Sequence, residues 1–215
     1  RSREDVAGRF VADTVEHLRD AGVTVDVVSP ANFRHYGIAY GDGIVQNLRA
    51  RPWLVFLLPL FLLGFARAAR RAARDVDVVH AHWIPSGIAA VATGRPFVLQ
   101  VWGSDVALAQ RARWIARPLV RRARLVIAAS AFLATEARRL GARDVRVIPN
   151  GVDLDRFSPD GPAYALPERA GTVFLYVGGV IPRKGLDAAV RAYAQAFDAA
   201  DDVLLVVKTS GTGTF

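Results

Sequence analysis

The segment Leu175-Tyr-Val-Gly-Gly-Val-Ile-Pro-Arg-Lys-Gly-Leu-Asp187 decides how the chain is interpreted. A β-branched and aromatic run at residues 173–177 predicts a buried strand that stops at the pair Gly178-Gly179. After a short loop, apolar residues recur at the spacing of one face of an α-helix. These residues are Leu186, Ala189, Val190, Tyr193 and Phe197. The segment therefore predicts a strand, a glycine-containing loop and a helix.

The loop in this segment predicts an anion site. Glycine lets the backbone approach a ligand closely, and Arg183 and Lys184 stand just before a helix N-terminus, where the helix dipole favours anions. A diphosphate fits this pattern. The loop is not a Walker A motif, because Arg183 occupies the place of the glycine before the lysine, and it is not GxGxxG. A solvated strand-to-helix turn explains the segment equally well.

Three further motifs lie upstream in a fixed order. They are DVDVVHAHW at residues 75–83, WGSD at residues 102–105 and VIPNGVDLDRFSP at residues 147–159. Together with the glycine loop they resemble the large family of retaining glycosyltransferases with the two-domain GT-B architecture, usually numbered family four. The resemblance covers most of the chain. It implies an acceptor domain that ends near residue 157 and a sugar-nucleotide domain that follows it.

The expected fold class is α/β. Helices and strands alternate from residue 9 onward, as in a doubly wound domain. Ser130 is predicted to cap a helix that ends at Gly141. The predicted strands of the first part of the chain are residues 23–27, 76–80, 96–101, 125–128 and 145–148. The predicted elements after the linker are a strand at 173–177, a helix at 186–199 and a strand at 203–207.

The predicted organisation has two Rossmann-like domains of GT-B type. Residues 1–157 form the acceptor-side domain with its first strand missing, residues 158–170 a linker, and residues 171–215 the opening strand-helix-strand of the donor domain. Both ends are interpreted as cut, because the chain opens on a polar loop and the second domain is too short for its own core. We therefore expect a fragment that is itself inactive.

Composition bounds the class of protein. With 215 residues, 52% of them hydrophobic and 22% charged, the chain is long and apolar enough to bury a substantial core. It contains no cysteine, which excludes disulfides and thiolate metal sites. No apolar run follows the polar opening residues 1–5, so we expect a cytoplasmic protein.

The formal net charge of +8 comes almost wholly from arginine, since only Lys184 and Lys208 among 28 basic residues are lysines. The arginines concentrate at residues 67–74 and 111–124. Nucleic acid is not an expected partner, because no nucleic-acid motif and no basic stripe with interleaved aromatic residues accompanies them. The inner face of an anionic membrane is a better candidate, since the first patch directly follows an apolar run.

This apolar run, residues 53–66, has two interpretations. It is too short to span a bilayer, which takes about 20 apolar residues, and Pro59 interrupts it. It suits either an interfacial element with arginines at the lipid headgroups or a buried helix with a solvated arginine face. We expect the buried helix, since the run is apolar on every side. The arginines then predict only weak, salt-dependent association with an anionic membrane.

The resemblance also implies a donor site. In the family, the lysine of the KG pair and an arginine just after the first glycine neutralise the leaving nucleoside diphosphate, which assigns Lys184 to the diphosphate. Here Gly179 occupies the arginine position, and Arg183 is the candidate substitute. Gly8 resembles one of the paired glycines with which the acceptor domain approaches the donor phosphates. A plain glycine at the start of a helix explains Gly8 nearly as well.

Two histidines stand at a predicted strand end. We interpret His80 and His82 as pointing to opposite faces of the sheet, and no acidic residue accompanies them at ligand spacing, so no metal site is expected. His82 lies nearer the carboxyl edge, where doubly wound folds bind ligands, and is the predicted catalytic histidine. A core histidine whose polar atoms are all paired is the alternative.

Aromatic and polar residues accompany this histidine. Trp83 is predicted as a platform on which a sugar stacks, and Trp102 and Ser104 as contacts of the acceptor or the sugar. Many relatives carry a histidine at the position of Trp102. Asp105 is therefore the candidate that orients or deprotonates the acceptor, although a helix N-cap explains it at least as well.

The predicted function is transfer of a sugar from a nucleotide-diphosphate sugar to an unidentified acceptor with retention of configuration. The resemblance implies that the leaving diphosphate takes the acceptor's proton and that neither a metal nor another cofactor is needed. A sugar-nucleotide epimerase of the same fold is the alternative, although few carboxylates beyond Asp105 suit its acid/base chemistry. A dinucleotide-binding oxidoreductase is disfavoured, because no GxGxxG follows a strand. A non-catalytic binding module stays open.

Overall fold

The computed structural model describes residues 9–40, 43–155, 157–162, 165, 171–180 and 184–209. The chain divides into two compact units between Gly151 and Val152. The predicted linker at residues 158–170 falls partly outside the described residues, and its bounds stay a prediction.

A four-stranded parallel sheet lies at the centre of the first unit, with its strands in sequence order. The strands are β1 Val79–His82, β2 Phe97–Val101, β3 Leu125–Ala128 and β4 Val145–Val147. Leu99 and Val101 of β2 are fully buried, as expected for an inner strand of a parallel sheet that is covered on both faces. Four of the five predicted strands are thereby confirmed, with β1 displaced toward His82.

Seven α-helices are described in the first unit. They are α1 Arg9–Asp20, α2 Ile44–Ala50, α3 Leu58–Ala72, α4 Gly87–Thr93, α5 Ser104–Arg111, α6 Arg113–Arg122 and α7 Ala131–Arg139. Short 3₁₀ helices at Pro30–Asn32, Pro52–Leu57 and Ile84–Ser86 connect them. The predicted cap of α7 is confirmed, since the hydroxyl of Ser130 accepts a hydrogen bond from Leu133 N at 3.3 Å. Gly141, at φ +100°, follows the end of this helix as predicted.

Small side chains bring the helices close to the sheet. Ala134 and Ala137 of α7 and Ala116 of α6 are buried in one core with Val126 of β3. This close packing fixes the ends of β1 and β2, from which the candidate site extends.

The predicted strand at residues 23–27 does not form. Val23 and Val27 are about half exposed, and the guanidinium of Arg19 donates a hydrogen bond to the carbonyl of Val25 at 2.7 Å. Alternating valines favour extended backbone, but a strand needs a neighbour with which to exchange hydrogen bonds. No described strand pairs with this segment.

The prediction that residues 53–66 are buried is wrong for half of the segment. Leu54 and Phe61 lie in a small second core with Ile38, but Phe56 is 83% exposed. α3, which contains the second half of this segment, is covered by α4 and by the residues around Phe33. Both lie on the same side of the helix, so its other side faces solvent. The large apolar side chains on that side are Trp53, Val55, Phe56, Leu60 and Leu63.

The second unit confirms the predicted strand-helix-strand, but the prediction that the strand at residues 173–177 is buried is wrong. Leu175 and Val177 are 64% and 65% exposed, because this strand has a single neighbouring strand and a single helix packed against it in the described residues. β5 Thr172–Val177 and β6 Val203–Lys208 pair in parallel, and α8 Leu186–Ala196 connects them. α8 ends three residues before the predicted end at 199, because Phe197 leaves the helix with φ −132°. The ring of Phe197 packs on Phe174 and Tyr193, with centroids 5.4 and 5.2 Å apart. Both units are therefore parallel α/β structures, and the expected fold class is confirmed.

Candidate active site

Two consecutive loops at the carboxyl edge of the first sheet bring five of the predicted site residues together. β1 ends at His82, directly beside Gln100 of β2, so the loops that follow these strands are neighbours. His82 is the last residue of β1, and Trp83 follows it directly. Trp102 follows β2 directly, and Ser104 and Asp105 are the first two residues of α5. This edge is where parallel α/β sheets bind ligands.

The carboxylate of Asp105 ties the two loops to each other. Its Oδ1 accepts hydrogen bonds from the backbone N–H groups of Trp102, Gly103 and Val106 at 2.9–3.0 Å. Its Oδ2 accepts from Ile84 N, in the loop after β1, at 3.1 Å. The side chain is only 6% exposed, so these four donors and the N-terminus of α5 are what stabilise its charge. The arrangement favours a positioning role, and direct proton transfer by Asp105 stays a prediction.

Trp83 has an unusual backbone conformation at this edge. Its φ of 70° and ψ of 143° place it in a region that residues with a Cβ rarely adopt. Two hydrogen bonds hold it there, one from Trp83 N to the carbonyl of Gln100 at 2.9 Å and the Ile84–Asp105 bond described above. Trp83 is 42% exposed, so part of its surface is accessible to a ligand.

Aromatic rings form a column beside these loops. The rings of His80 and His82 stack with centroids 4.4 Å apart, and those of His82 and Trp102 stack at 5.8 Å. The ring of Phe10 in α1 also contacts that of Trp102, with centroids 4.3 Å apart. The expectation that the histidines point to opposite faces is wrong, because side chains two residues apart in a strand share a face.

Two polar atoms in the column lack a partner. Nδ1 of His82 and Nε1 of Trp102 are buried and accept or donate no hydrogen bond among the described residues. Desolvation, and secondarily the charge of His80, lowers the pKa of His82 to about 4. The ring is therefore neutral near pH 7, with one nitrogen as donor and the other as acceptor. Buried polar groups are nearly always paired, so this pair of atoms points to a polar ligand.

Sequence reasoning missed three members of the site, Gln100, His80 and Phe10. Gln100 is 8% exposed, and a lone polar residue in the apolar strand FVLQV was a usable signal. The two-residue period of a strand would have placed His80 beside His82. Nothing in the sequence connects Phe10 to Trp102, because that contact depends on how α1 packs. Over the described ranges, no group of three or more metal-ligating side chains gathers.

Three of the four donor candidates, Gly179, Arg183 and Lys184, belong to the second unit. Lys184 is exposed just before α8, and its carbonyl accepts a hydrogen bond from the hydroxyl of Tyr176 at 3.2 Å. The helix starts after Gly185, whose φ of 69° favours glycine. A Cβ built on Gly179 would meet no described atom within 4 Å. Arg183 and Gly8 lie outside the described residues, and their predicted roles stay predictions.

Comparison with known proteins identifies the class. The family described as Glycosyltransferase Family 4 matches residues 7–156, well over half of the chain. The chain belongs to this glycosyltransferase family.

The relatives include D-inositol 3-phosphate glycosyltransferases and one teichuronic acid enzyme. The protein of Nocardiopsis dassonvillei is 31% identical over 225 residues, which cover 86% of this chain and 51% of that protein. The protein of Acidothermus cellulolyticus is 31% identical over 226 residues, covering 86% and 49%. The putative teichuronic acid biosynthesis glycosyltransferase TuaC of Bacillus subtilis is 32% identical over 216 residues, covering 83% and 56%. The chain spans about half the length of these curated relatives.

The Asp105 bonds predict a graded loss of stability. In Asp105→Asn, an amide oxygen in place of Oδ1 keeps the three local bonds, while the amide NH₂ faces Ile84 N and breaks the link between the loops. We expect a loss of roughly 1–3 kcal/mol in the free energy of unfolding, and a larger loss for Asp105→Ala. Denaturant titration measures both, with Asp77→Asn as the control, since Asp77 is exposed. Equal stability of Asp105→Asn and wild type would contradict the role of the link.

The lowered pKa of His82 predicts a pH dependence. A histidine whose pKa is about 4 when folded and about 6.5 when unfolded stabilises the fold above pH 6.5 and loses that contribution as the pH falls toward 4. In His82→Gln, the free energy of unfolding should therefore depend less on pH between about 6.5 and 4, by up to about 1.4 kcal/mol per pH unit. The contributions of the carboxylates to the pH dependence are the same in wild type and His82→Gln, so they cancel when one profile is subtracted from the other. Parallel profiles would show that His82 is not desolvated.

Proposed function

We propose that the protein transfers a sugar from a nucleotide-diphosphate sugar to an acceptor with retention of configuration. Membership of the glycosyltransferase family supports the reaction class, and the relatives named above are glycosyltransferases by their names. The observation that carries the proposal is the pair of buried nitrogens of His82 and Trp102, which find no hydrogen-bond partner among the described residues, beside an exposed Trp83.

This pair suits a carbohydrate. A sugar presents hydroxyl groups around a ring whose C–H face is apolar, and it needs both hydrogen-bonding atoms and an aromatic surface. The Trp102 indole N–H donates to a hydroxyl oxygen, and the neutral ring of His82 donates or accepts according to its tautomer. Ser104, the first residue of α5, is exposed and adds a hydroxyl. In this proposal Asp105 positions these groups and does not touch the substrate.

The leaving diphosphate needs a different environment. As the bond between the sugar C1 and the diphosphate oxygen breaks, negative charge grows on the diphosphate, and a fixed cation stabilises that state more than the ground state. Lys184 supplies such a cation just before α8, where the helix dipole adds to it. A bond forms between C1 and the acceptor oxygen on the same face, and the acceptor's proton passes to the leaving diphosphate. The α- or β-configuration of the product is therefore that of the donor.

The role of Lys184 predicts a loss of turnover. In the complete protein, Lys184→Ala should remove roughly 2–4 kcal/mol of transition-state stabilisation. This corresponds to a fall in kcat of roughly 30- to 1,000-fold, with a smaller change in the KM of the acceptor. Arg191→Ala is the matched control, because Arg191 is an exposed cation of the same helix that pairs with Asp187 at 2.9 Å. Turnover of Lys184→Ala within about threefold of wild type would contradict the assignment.

Two further measurements test the donor site and distinguish a transferase from an epimerase. Gly179→Ala should leave the free energy of unfolding within about 0.5 kcal/mol, since a Cβ meets no described atom, yet raise the KM of the donor if the diphosphate lies against this backbone. Labelled donor without acceptor should be hydrolysed at most slowly. Conversion of its sugar to an epimer would identify an epimerase instead.

A further inference from the structure

α3 carries one continuous solvent-exposed stripe, which changes character halfway along. At spacings of three and four residues it runs through Leu60 and Leu63 and then through four arginines. Phe56 and Trp53, in the 3₁₀ helix before α3, extend its apolar end and are 83% and 56% exposed. The arginines of this α3 stripe are Arg67, Arg70 and Arg71 of the helix and Arg74, which lies two residues after the end of the helix.

The opposite side of the helix is packed tightly. Phe61 and Phe65 contact the ring of Phe33, with centroids 5.3 Å apart in both pairs. A Cβ on Gly64 would lie 3.1 Å from that ring, so any larger residue would have to displace the ring by a few tenths of an ångström. The exposed apolar half is therefore not the result of a loosely held helix. An apolar cluster of this kind on a rigid element marks an interaction site.

The cationic half forms an open cavity of about 460 Å³. The four arginines of the stripe line it together with Arg95, whose guanidinium donates hydrogen bonds to the carbonyls of Ala73 and Arg74 at the end of α3. None of these five arginines pairs with a described carboxylate. Guanidinium groups bind phosphate oxygens in a bidentate manner, so the cavity suits phosphate groups.

The apolar half and the arginine half of this surface match the acyl-chain region and the headgroup phosphates of one bilayer leaflet. At 1.5 Å per residue, Leu60 and Arg70 lie about 15 Å apart along the helix. A shallow tilt therefore puts the aromatic and aliphatic side chains about 5–10 Å deep, at the boundary of headgroups and acyl chains, while the arginines stay at the phosphates. Trp and Phe favour this depth. The charge of the arginines selects an anionic bilayer.

We propose that the α3 stripe and the 3₁₀ helix before it are a docking surface for an anionic lipid bilayer. The segment Pro52–Ala72 is also long and apolar enough to span a membrane, the one such helix in the described part of the chain. Spanning is disfavoured, because three arginines lie within this segment and Phe61 and Ala69 belong to the packed interior of the unit. In this proposal the segment Pro52–Ala72 lies on the membrane surface and does not cross the bilayer.

Flotation with vesicles tests the surface in the complete protein. Wild type should bind vesicles of phosphatidylcholine with about 30% phosphatidylglycerol far better than phosphatidylcholine alone, and part of the binding should survive about 0.5 M salt. Arg70→Glu with Arg74→Glu should weaken binding at least tenfold at low salt. Phe56→Ser with Leu60→Ser should remove the salt-resistant part.

Matched variants on α6 are the controls. Trp114 is 80% exposed, and Arg117 and Arg122 are exposed cations of that helix. Trp114→Ser, and Arg117→Glu with Arg122→Glu, should float like wild type. Bromine-labelled lipid should quench tryptophan fluorescence, and Trp53→Phe should remove the quenched component. The stripe variants replace exposed side chains, and circular dichroism checks that they fold.

Three results would overturn the proposal. The first is absence of vesicle binding by wild type at low salt. The second is an equal loss of binding in the α6 variants and the stripe variants, which would place the contact elsewhere or make it a diffuse effect of net charge. The third is retention on membranes through extraction with alkaline carbonate, which would show a spanning helix.

Discussion

The carboxylate of Asp105 is the contact on which the candidate site depends. It is buried without a described cation, and four backbone N–H groups from two loops replace the water that would otherwise stabilise its charge. Those bonds fix where the chain goes after β1 and β2. Trp83 keeps its unfavourable backbone conformation, and the ring of Trp102 stays against His82, because both loops are held by one side chain. The two motifs HAHW and WGSD are therefore one structural unit, although 19 positions separate Trp83 from Trp102.

The proposed chemistry is divided between two kinds of environment. In the first unit, the desolvated, neutral His82 and the indole of Trp102 suit hydrogen bonds to uncharged hydroxyl groups. In the second unit, Lys184 stands exposed at a helix start and suits a charged leaving group. Burial would disfavour a cation at the position of His82, because it penalises the charged form. A neutral ring at the position of Lys184 would not stabilise the negative charge of a diphosphate. Each environment thus fits one part of a nucleotide-sugar reaction.

The sequence predicted the strands that have a strong local pattern, and it did not predict contacts between residues far apart in the chain. β-Branched runs that end at glycine or polar residues located β2, β3, β5 and β6, because such residues favour extended backbone. The burial that usually accompanies these runs is found in β2 and β3 and not in β5, whose residues are mostly exposed. The valines at residues 23–27 carry the same local signal but have no neighbouring strand. The apolar run at residues 53–66 looked like core by composition, yet coverage depends on how many elements surround a helix. The link from Asp105 to Ile84 is a contact across 21 positions that no local pattern reports.

Kinetics of a double-mutant cycle test most directly whether Asp105 acts through the loops. Trp102→Phe removes the indole N–H and keeps an aromatic ring, and Asp105→Asn breaks the link that orients it. If Asp105 positions Trp102, the kcat/KM of the double variant should lie within about threefold of the slower single variant, because the second change removes an interaction already lost. If the two reductions multiply, and Asp105→Asn also abolishes the acidic limb of the pH–rate profile, Asp105 transfers a proton and the positioning account is wrong.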